Sequence, residues 1–334
     1  MTDRMERSCI HHRTFTPFVT NKRSRSSLFS VLSQDYLRLT SPPSPSSVRT
    51  VSTLSKWHSH LVALIKSSTY LYPYLCSQYK SIRQDLTVQR INTAFTVRVY
   101  ETHARVALEH GDLNEFNQCQ TQLKELYGIF NPHPEKREGG RTRGEINKGR
   151  DVKHPSECSL ARRNVAEFVA YNVLYAVMVH SSGKGEGSTE VMKCMESISR
   201  NSEIRDSPDV RHALEVRAAL AEGNFVVFFK LYMGAPKMSA YIMDFIIPSL
   251  RFRVVTVMCR AYKPTLGSGW LSGMCGFYIE GGNEFEGTSG EEERRRGVEY
   301  LRSCGCLIEV RGGRGVVDTK NSILAMPSET KRKE

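Results

Sequence analysis

No CxxC pair occurs in this chain, although it carries nine cysteines, an odd number. They are scattered, and the closest spacing is Cys304-Gly-Cys306. That pattern argues against structural zinc and against a disulfide framework; it points to reduced thiols in a cytosolic or nuclear protein. The N-terminal region lacks the continuous apolar core of a secretory leader, so none is expected. The most apolar run, 165–179, contains Glu167 and Asn172 and is too short to cross a bilayer. It reads as a buried core helix, and no membrane association is expected. Compact catalytic signatures are missing as well: there is no GxSxG, no HExxH and no paired-carboxylate motif. Gly183-Lys-Gly-Glu-Gly187 is glycine-rich but lacks the order of a phosphate-binding loop, and no strand signal precedes it. No catalytic residue, metal ligand set or cofactor is expected.

What is present is basic charge. The 334 residues carry a net charge of +12, and the isoelectric point is about 9.3. Such a balance favours polyanions: nucleic acid, acidic proteins or an anionic membrane surface. Hydrophobic residues make up 40%, which is ordinary for a globular protein, and the polar remainder is concentrated in a few segments. Residues 1–55 are rich in Ser and carry Pro42, Pro43 and Pro45, so they read as a disordered basic tail. Residues 131–163 contain three prolines, four glycines and nine Lys or Arg, and read as a disordered basic insertion. Residues 181–190 are again rich in Gly and Ser.

Between these segments the periodicity is helical. Trp57, Leu61, Leu64 and Ile65 mark one stripe; Val88, Ile91, Phe95, Val99 and Val106 mark another at steps that suit one helix face. One phrase is written twice. Ala104-Arg-Val-Ala-Leu-Glu-His-Gly111-Asp-Leu-Asn-Glu-Phe116 is matched by Val216-Arg-Ala-Ala-Leu-Ala-Glu-Gly223-Asn-Phe-Val-Val-Phe228. In each, small residues close a helix, Gly takes the position after it, and Asp112 or Asn224 can cap the next helix. Gly111 and Gly223 are therefore structural, and the pattern predicts repeated helical hairpins, an architecture that usually presents surfaces to partners. Ser207, Pro208 and Asp209 signal a further helix start, and Ser239 caps another that is kinked or broken at Pro248. After Tyr262 the pattern changes. A short helix over 270–277, a charged helix over 291–304, and a hairpin from Leu307 to Thr319 turning at Gly312-Gly-Arg-Gly315 suggest a winged-helix module. The domain reading is a tail over 1–55, a helical-repeat domain over 56–262 interrupted at about 131–163, a winged helix over 263–325 and a tail over 326–334.

Three residue groups are candidates for chemistry. Arg83, Asp85 and Gln89 lie close in sequence and form either a contact surface or an internal polar network. Glu101, His103 and Glu109 do not make a metal or acid–base set, because Glu101 and His103 are two apart on a helix and point in different directions; His212 suits packing or capping. Arg294, Arg295, Arg296 and Arg302 on the charged helix, with Arg311 and Arg314 at the hairpin turn, are the candidate phosphate contacts; the alternative is a solvated basic face partly cancelled by the three glutamates at 291–293.

Tyr79-Lys-Ser-Ile-Arg-Gln-Asp-Leu-Thr-Val-Gln89, Phe95-Thr-Val-Arg-Val-Tyr-Glu-Thr-His-Ala-Arg105 and Glu115-Phe-Asn-Gln-Cys-Gln-Thr-Gln-Leu-Lys-Glu-Leu-Tyr127 together resemble the GANP/Sac-type PCI-like domain family. The nearest branch is that of leukocyte receptor cluster member eight and its fungal transcription and splicing counterpart. Looser agreement runs through Glu167-Phe-Val-Ala-Tyr171, Phe228-Phe-Lys-Leu-Tyr232 and Ala235-Pro-Lys-Met-Ser239, so that roughly 56–277 is covered. The motif residues are Lys80, Arg83, Gln84, Asp85 and Gln89. The resemblance implies a mainly α, PCI-like stack of helical hairpins ending in a winged helix, and no catalysis. It implies a second PCI-domain protein as partner, a small acidic peptide of the proteasome-lid and export type, and RNA on a basic surface. It implies work in nuclear mRNA biogenesis, with the cytoplasm as a second compartment. The competing reading is an architectural PCI subunit of a lid-like or signalosome-like complex with no RNA role. The basic stretch 131–163, the segment 281–293 and the brief N-terminal region depart from the family pattern.

Overall fold

Helices begin and end where the local chemistry allows. In the computed structural model the described residues are 33–326, less 40, 42, 45–46, 68–69, 131–154, 182–186 and 278–288. The expected tail at 326–334, apart from Met326, and most of the insertion lie outside them. The chain divides between Phe168 and Val169 into two units, each with its own interior.

The first unit holds α1 (Val51–Ser67), α2 (Tyr72–Val88), α3 (Ala94–Glu109), α4 (Leu113–Phe130) and α5 (Pro155–Arg162). Leu54, Trp57 and Leu61 of α1 meet Leu75, Tyr79, Ile82 and Leu86 of α2, with Val99 and Val106 of α3 completing the cluster. The stripe from Val88 to Val106 is not one helix. The chain turns at Arg90, whose φ of 54° no helix tolerates, and restarts behind a Thr93–Thr96 capping box. Two boundaries also move. Asp35, Leu37 and Arg49, which fall within the expected tail over 1–55, are bonded to α2, while residues 1–32 lie outside the described residues. Residues 155–162, read as part of a loop, form α5, with Pro155 in its first turn.

Helix α6 (Val165–Ser181) is the expected core helix: Phe168, Ala170, Tyr171, Val173, Leu174, Ala176 and Val177 are buried. No helix among the described residues is long and apolar enough to cross a membrane. The second unit continues with α7 (Gly187–Ser199), which claims part of the Gly/Ser-rich stretch, then α8 (Ser202–Arg205), α9 (Pro208–Glu222), α10 (Phe225–Met233), α11 (Ser239–Met243) and α12 (Ile247–Ala261). Pro248 does not kink a helix; it sits in the first turn of α12, where its missing N–H costs nothing.

The two repeated phrases fold identically at their turns. Asp112 N donates to Ala107 O at 2.9 Å and Gly111 N to Leu108 O at 3.1 Å. Asn224 N donates to Ala219 O at 2.8 Å and Gly223 N to Leu220 O at 3.3 Å. Both are Schellman closures, with Gly111 at φ 72° and Gly223 at φ 69°. The next helix is capped each time: Asp112 Oδ1 accepts from Glu115 N at 2.9 Å, and Asn224 Oδ1 accepts from Val227 N at 3.2 Å. The α3–α4 and α9–α10 pairs are therefore the same hairpin.

The C-terminal module runs α12, β1 (Thr265–Gly267), α13 (Ser268–Met274), α14 (Ser289–Ser303), β2 (Leu307–Arg311), β3 (Arg314–Asp318) and α15 (Thr319–Ala325). The strands form an antiparallel sheet in the order β1-β3-β2. This is a winged-helix succession, and it gains β1 and α15 over the sequence reading. Its first helix is α12, since Phe252, Val254, Val255 and Cys259 share a core with Leu271, Cys275, Leu301, Cys304, Cys306 and Val317. The module thus starts near 247 and not at 263. The wing turns through Gly312 and Gly313, both at positive φ, as a two-residue hairpin demands. The whole is mainly α, consistent with a PCI-like helical fold ending in a winged helix.

Candidate functional site

The family motif lies on α2, and its side chains face in two directions. One face binds the chain that precedes α1. Arg49 Nε donates to Asp85 Oδ2 at 2.6 Å and its Nη2 to Ser81 Oγ at 2.7 Å, with both charged groups under a tenth exposed. Gln89 Nε2 donates to the carbonyls of Arg49 and Asp85, each at 2.9 Å. Gln84 Nε2 donates to Leu37 O at 2.9 Å. Gln78, fully buried, accepts from Trp57 Nε1 at 3.1 Å and donates to Asp35 at 3.0 Å. Gln78, Gln84, Asp85 and Gln89 therefore act as a clamp on Asp35, Leu37 and Arg49. Asp85 and Gln89 thus take part in an internal hydrogen-bond network.

The other face of α2 meets α3 and α4 around Glu115. Its carboxylate takes Lys80 Nζ at 2.8 Å on one oxygen and Arg83 Nη1 at 2.8 Å on the other. Arg83 Nη1 also donates to Cys119 Sγ at 2.6 Å, and its guanidinium lies 5.3 Å from the centre of the Tyr100 ring. His103, with no exposed surface, stacks on Tyr79 at 5.1 Å, and its Nδ1 is 3.9 Å from Glu115. His103, Glu115 and Cys119 bring donor atoms within 4.8 Å of one another, a spacing that can hold a metal ion. The cation there, however, is already Arg83, supported by Lys80. A divalent ion would have to sit against that guanidinium, so the donor set fits an ion pair better than a metal. Burial, reinforced by Arg83 and Lys80, holds His103 well below the ordinary imidazole range. Burial pushes the Cys119 thiol up to about 12, against the pull of Arg83. A neutral imidazole beside a protonated thiol is a poor nucleophile–base pair.

Glu101, His103 and Glu109 do not converge. Glu101 accepts from Tyr127 Oη at 2.7 Å and Asn164 Nδ2 at 2.6 Å, while Glu109 is exposed. Burial raises the Glu101 pKa, opposed by those two hydrogen bonds. Arg105 bridges to Glu167 at 2.8 Å and lies over the Phe168 ring at 5.1 Å. His212 fills the packing role expected of it, with Nε2 2.9 Å from Leu231 O across the α9–α10 hairpin. Sequence reasoning missed Arg49, which fell in the presumed tail, and Glu115 and Cys119, which it quoted within a motif without a role.

The arginines of the C-terminal module are spread out. Arg294, Arg295, Arg296 and Arg302 lie on α14, but consecutive helix positions are about 100° apart, so the three adjacent ones cannot share a face. Arg295 and Arg302, seven apart, do share one and are exposed. Arg296 is paired with Glu292 at 2.9 Å, and Arg311 with Glu309 at 2.7 Å along the wing. Arg314 is exposed at the wing turn.

A family profile described as the SAC3/GANP family matches residues 34–272, from the clamped segment into α13. Among curated relatives, SAC3 family protein A of Arabidopsis thaliana is 40% identical over 300 residues, covering 87% of this chain and 25% of that protein. A THP3 homolog of Schizosaccharomyces pombe is 36% identical over 278 residues, covering 83% of this chain and 57% of that one. The Leukocyte receptor cluster member 8 homolog of Xenopus laevis is 40% identical over 235 residues, covering 70% and 24% respectively. The chain thus spans between about a quarter and just over half the length of these relatives. With the motif residues in place and most of the sequence matched, the chain belongs to the SAC3/GANP family.

Proposed function

We propose that this protein is a non-enzymatic nuclear scaffold in mRNA biogenesis, acting in transcription-coupled processing, splicing or export. The observation that carries this reading is the continuous family match over 34–272, which joins the clamped helical hairpins to the winged-helix module. In this role the winged helix docks a second PCI-domain protein, a small acidic peptide braces the pair, and exposed basic residues hold RNA phosphates. Arg294, Arg295, Arg302, Arg311 and Arg314 are exposed, and of these Arg311 is paired with Glu309. The net charge of +12 supports a polyanionic partner. The network around Glu115 holds α2 against α4, in keeping with a scaffold rather than a reaction centre. The nucleus is the proposed compartment, with the cytoplasm secondary.

One observation favours a purely architectural role without RNA: Arg296 and Arg311 are already occupied by glutamates. The two readings separate in an electrophoretic shift with single-stranded RNA at low and high salt. Phosphate contacts predict binding whose logarithm falls linearly with the logarithm of salt, with a slope of roughly 0.7 per contact. No shift at low salt selects the architectural role. Purification from nuclei with identification of bound proteins tests the PCI partner and the acidic peptide; recovery of neither removes the scaffold reading.

A further inference from the structure

Two tryptophans occur in the chain, and they are treated differently. Trp57 is 1% exposed, and its indole N–H is satisfied by Gln78. Trp270, on α13, is 40% exposed, and Tyr262, just past the end of α12, is 48% exposed. The two rings pair edge to face with centroids 5.4 Å apart. Among the described residues neither the Tyr262 hydroxyl nor the Trp270 indole N–H has a hydrogen-bond partner, whereas Tyr72, Tyr127 and Tyr232 all spend their hydroxyls on carboxylates. A large amphipathic ring pair left in water has a face to offer.

The charge of the flanking sequence is of one sign. From Ile247 to Phe277 the sequence contains no Asp or Glu, but it contains Arg251, Arg253, Arg260 and Lys263. Arg251 is buried and structural, donating to Cys275 O at 2.9 Å. Arg253 and Arg260 are exposed and seven residues apart on α12, with exposed Val257 between them, so they form one stripe that runs toward Tyr262 and Lys263. The acid brought nearest by the sheet register is Asp318, opposite Thr265, and its carboxylate is committed to capping α15 through Asn321. Unlike Arg296 on α14 and Arg311 on the wing, Arg253 and Arg260 have no carboxylate partner among the described residues.

We propose that Tyr262 and Trp270 form a stacking platform for unpaired bases of single-stranded RNA, with Arg253, Arg260 and Lys263 taking the adjoining phosphates. This rests on the RNA reading above and gives it a location. Aromatic faces accept any base, and a basic track beside them follows the backbone, so binding is tolerant of sequence.

The test uses the full chain and a fluorescently labelled single-stranded oligouridylate, read by anisotropy across a salt series, together with tryptophan emission. Because Trp57 is sealed in the first unit, quenching by RNA reports Trp270. The expected result is quenching on binding. Replacing both rings (Tyr262→Ala with Trp270→Ala) weakens affinity tenfold or more at an unchanged salt slope, and Tyr262→Phe with Trp270→Phe restores most of it. Arg260→Gln with Lys263→Gln lowers the magnitude of the slope by about 1.4, two phosphates' worth on a single strand. RNA binding without quenching, and undiminished in the double alanine variant, overturns the platform while leaving the RNA reading intact. No RNA binding by the unaltered chain at low salt overturns both. Loss of a co-purifying protein from the double alanine variant, with RNA affinity unchanged, also overturns it and reassigns the rings to protein docking.

Discussion

The helices around Glu115 and the winged-helix module solve the same packing problem with opposite materials. In the first unit the space between α2, α3 and α4 is filled by Glu115, His103, Gln120, Cys119 and the head of Arg83, with Glu101 nearby. In the winged helix the equivalent space holds Phe252, Val254, Val255, Leu271, Leu301, Val317 and four cysteines, with Arg251 the one buried side-chain cation among the described residues of that cluster's surroundings. An apolar core tolerates many arrangements of similar volume. An ionic core tolerates few, because each charge must meet its partner or bear the cost of burial. The contrast teaches where each part is vulnerable: the first unit to loss of a charge or a proton, the second to a change of shape.

The largest effect is expected from removing the central carboxylate. Glu115→Ala leaves Lys80 and Arg83 facing each other with no counter-charge, and the first unit should lose about 3–5 kcal/mol. Trp57 fluorescence in a Trp270→Phe background follows that unit in urea, while Trp270 in a Trp57→Phe background follows the other. The Trp57 midpoint should fall and the Trp270 signal should keep its own. The comparison sharpens with Glu115→Leu combined with Arg83→Met, which removes both sides of the pair and should recover much of the loss. If the double variant is as unstable as Glu115→Ala, the network's charge balance is not what the single change disturbs.

Shape is tested at Gly276. It adopts φ 71°, and a Cβ there would lie 2.3 Å from the Phe229 ring. Gly276→Ala should cost the second unit about 2–4 kcal/mol from overpacking plus left-handed strain. Phe229→Leu should relieve part of that cost in combination. An unchanged Trp270 midpoint would show that the ring moves aside freely.

Acid should loosen the first unit before it touches the winged helix. His103 is held low by burial and by the cations Arg83 and Lys80, although Glu115 and Cys119 face it from α4. Burial, then Arg98, lowers His58 to about 4 where it packs between Tyr79 and Phe95. Below pH 6.5 the unfolded chain takes up protons that these folded imidazoles refuse. Stability is therefore full above 6.5 and falls as pH drops, by up to about 1.4 kcal/mol per pH unit for each histidine until its folded pKa is reached. Glu101, raised by burial, works the other way at the acid end. The Trp57 midpoint measured between pH 7.5 and 5 should fall with that slope, and His103→Gln should flatten it. A slope that survives His103→Gln and His58→Gln together assigns the acid sensitivity to other groups.

Much of this was written in the sequence, and what was not has a common cause. The repeat around Gly111 and Gly223 was legible because a left-handed turn and its cap are local, set by four or five adjacent residues. The hairpin of the wing was legible for the same reason. The break at Arg90 was hidden because Val88, Ile91 and Phe95 keep helical spacing across it, and a non-glycine residue at φ 54° gives no warning. The partners of α2 were hidden because they are 36 residues away on either side: Arg49 on Asp85, and Cys119 on Arg83. Composition placed Arg49 in a tail, since one buried arginine cannot alter the polarity of a Ser- and Pro-rich stretch. The arginine set on α14 and the wing was legible as residues, but the glutamates that occupy Arg296 and Arg311 appear only in three dimensions.

The smallest effect tests whether the two hairpins are truly one device. Gly223 has open space around a would-be Cβ, so Gly223→Ala meets only the cost of positive φ, about 1 kcal/mol. Gly111 sits at nearly the same φ in the same pair of closing hydrogen bonds. Gly111→Ala should therefore cost the first unit about what Gly223→Ala costs the second, despite the ionic core beside one and the apolar core beyond the other. The turn is a local element, and its strain is paid in backbone geometry rather than in packing. Equal shifts in the Trp57 and Trp270 midpoints, each converted with its own urea dependence, are the expected outcome. A markedly larger loss at Gly111 would mean that its turn also positions Asp112, which caps α4 and accepts from Tyr72 at 2.7 Å, so that backbone strain there is passed on to Glu115.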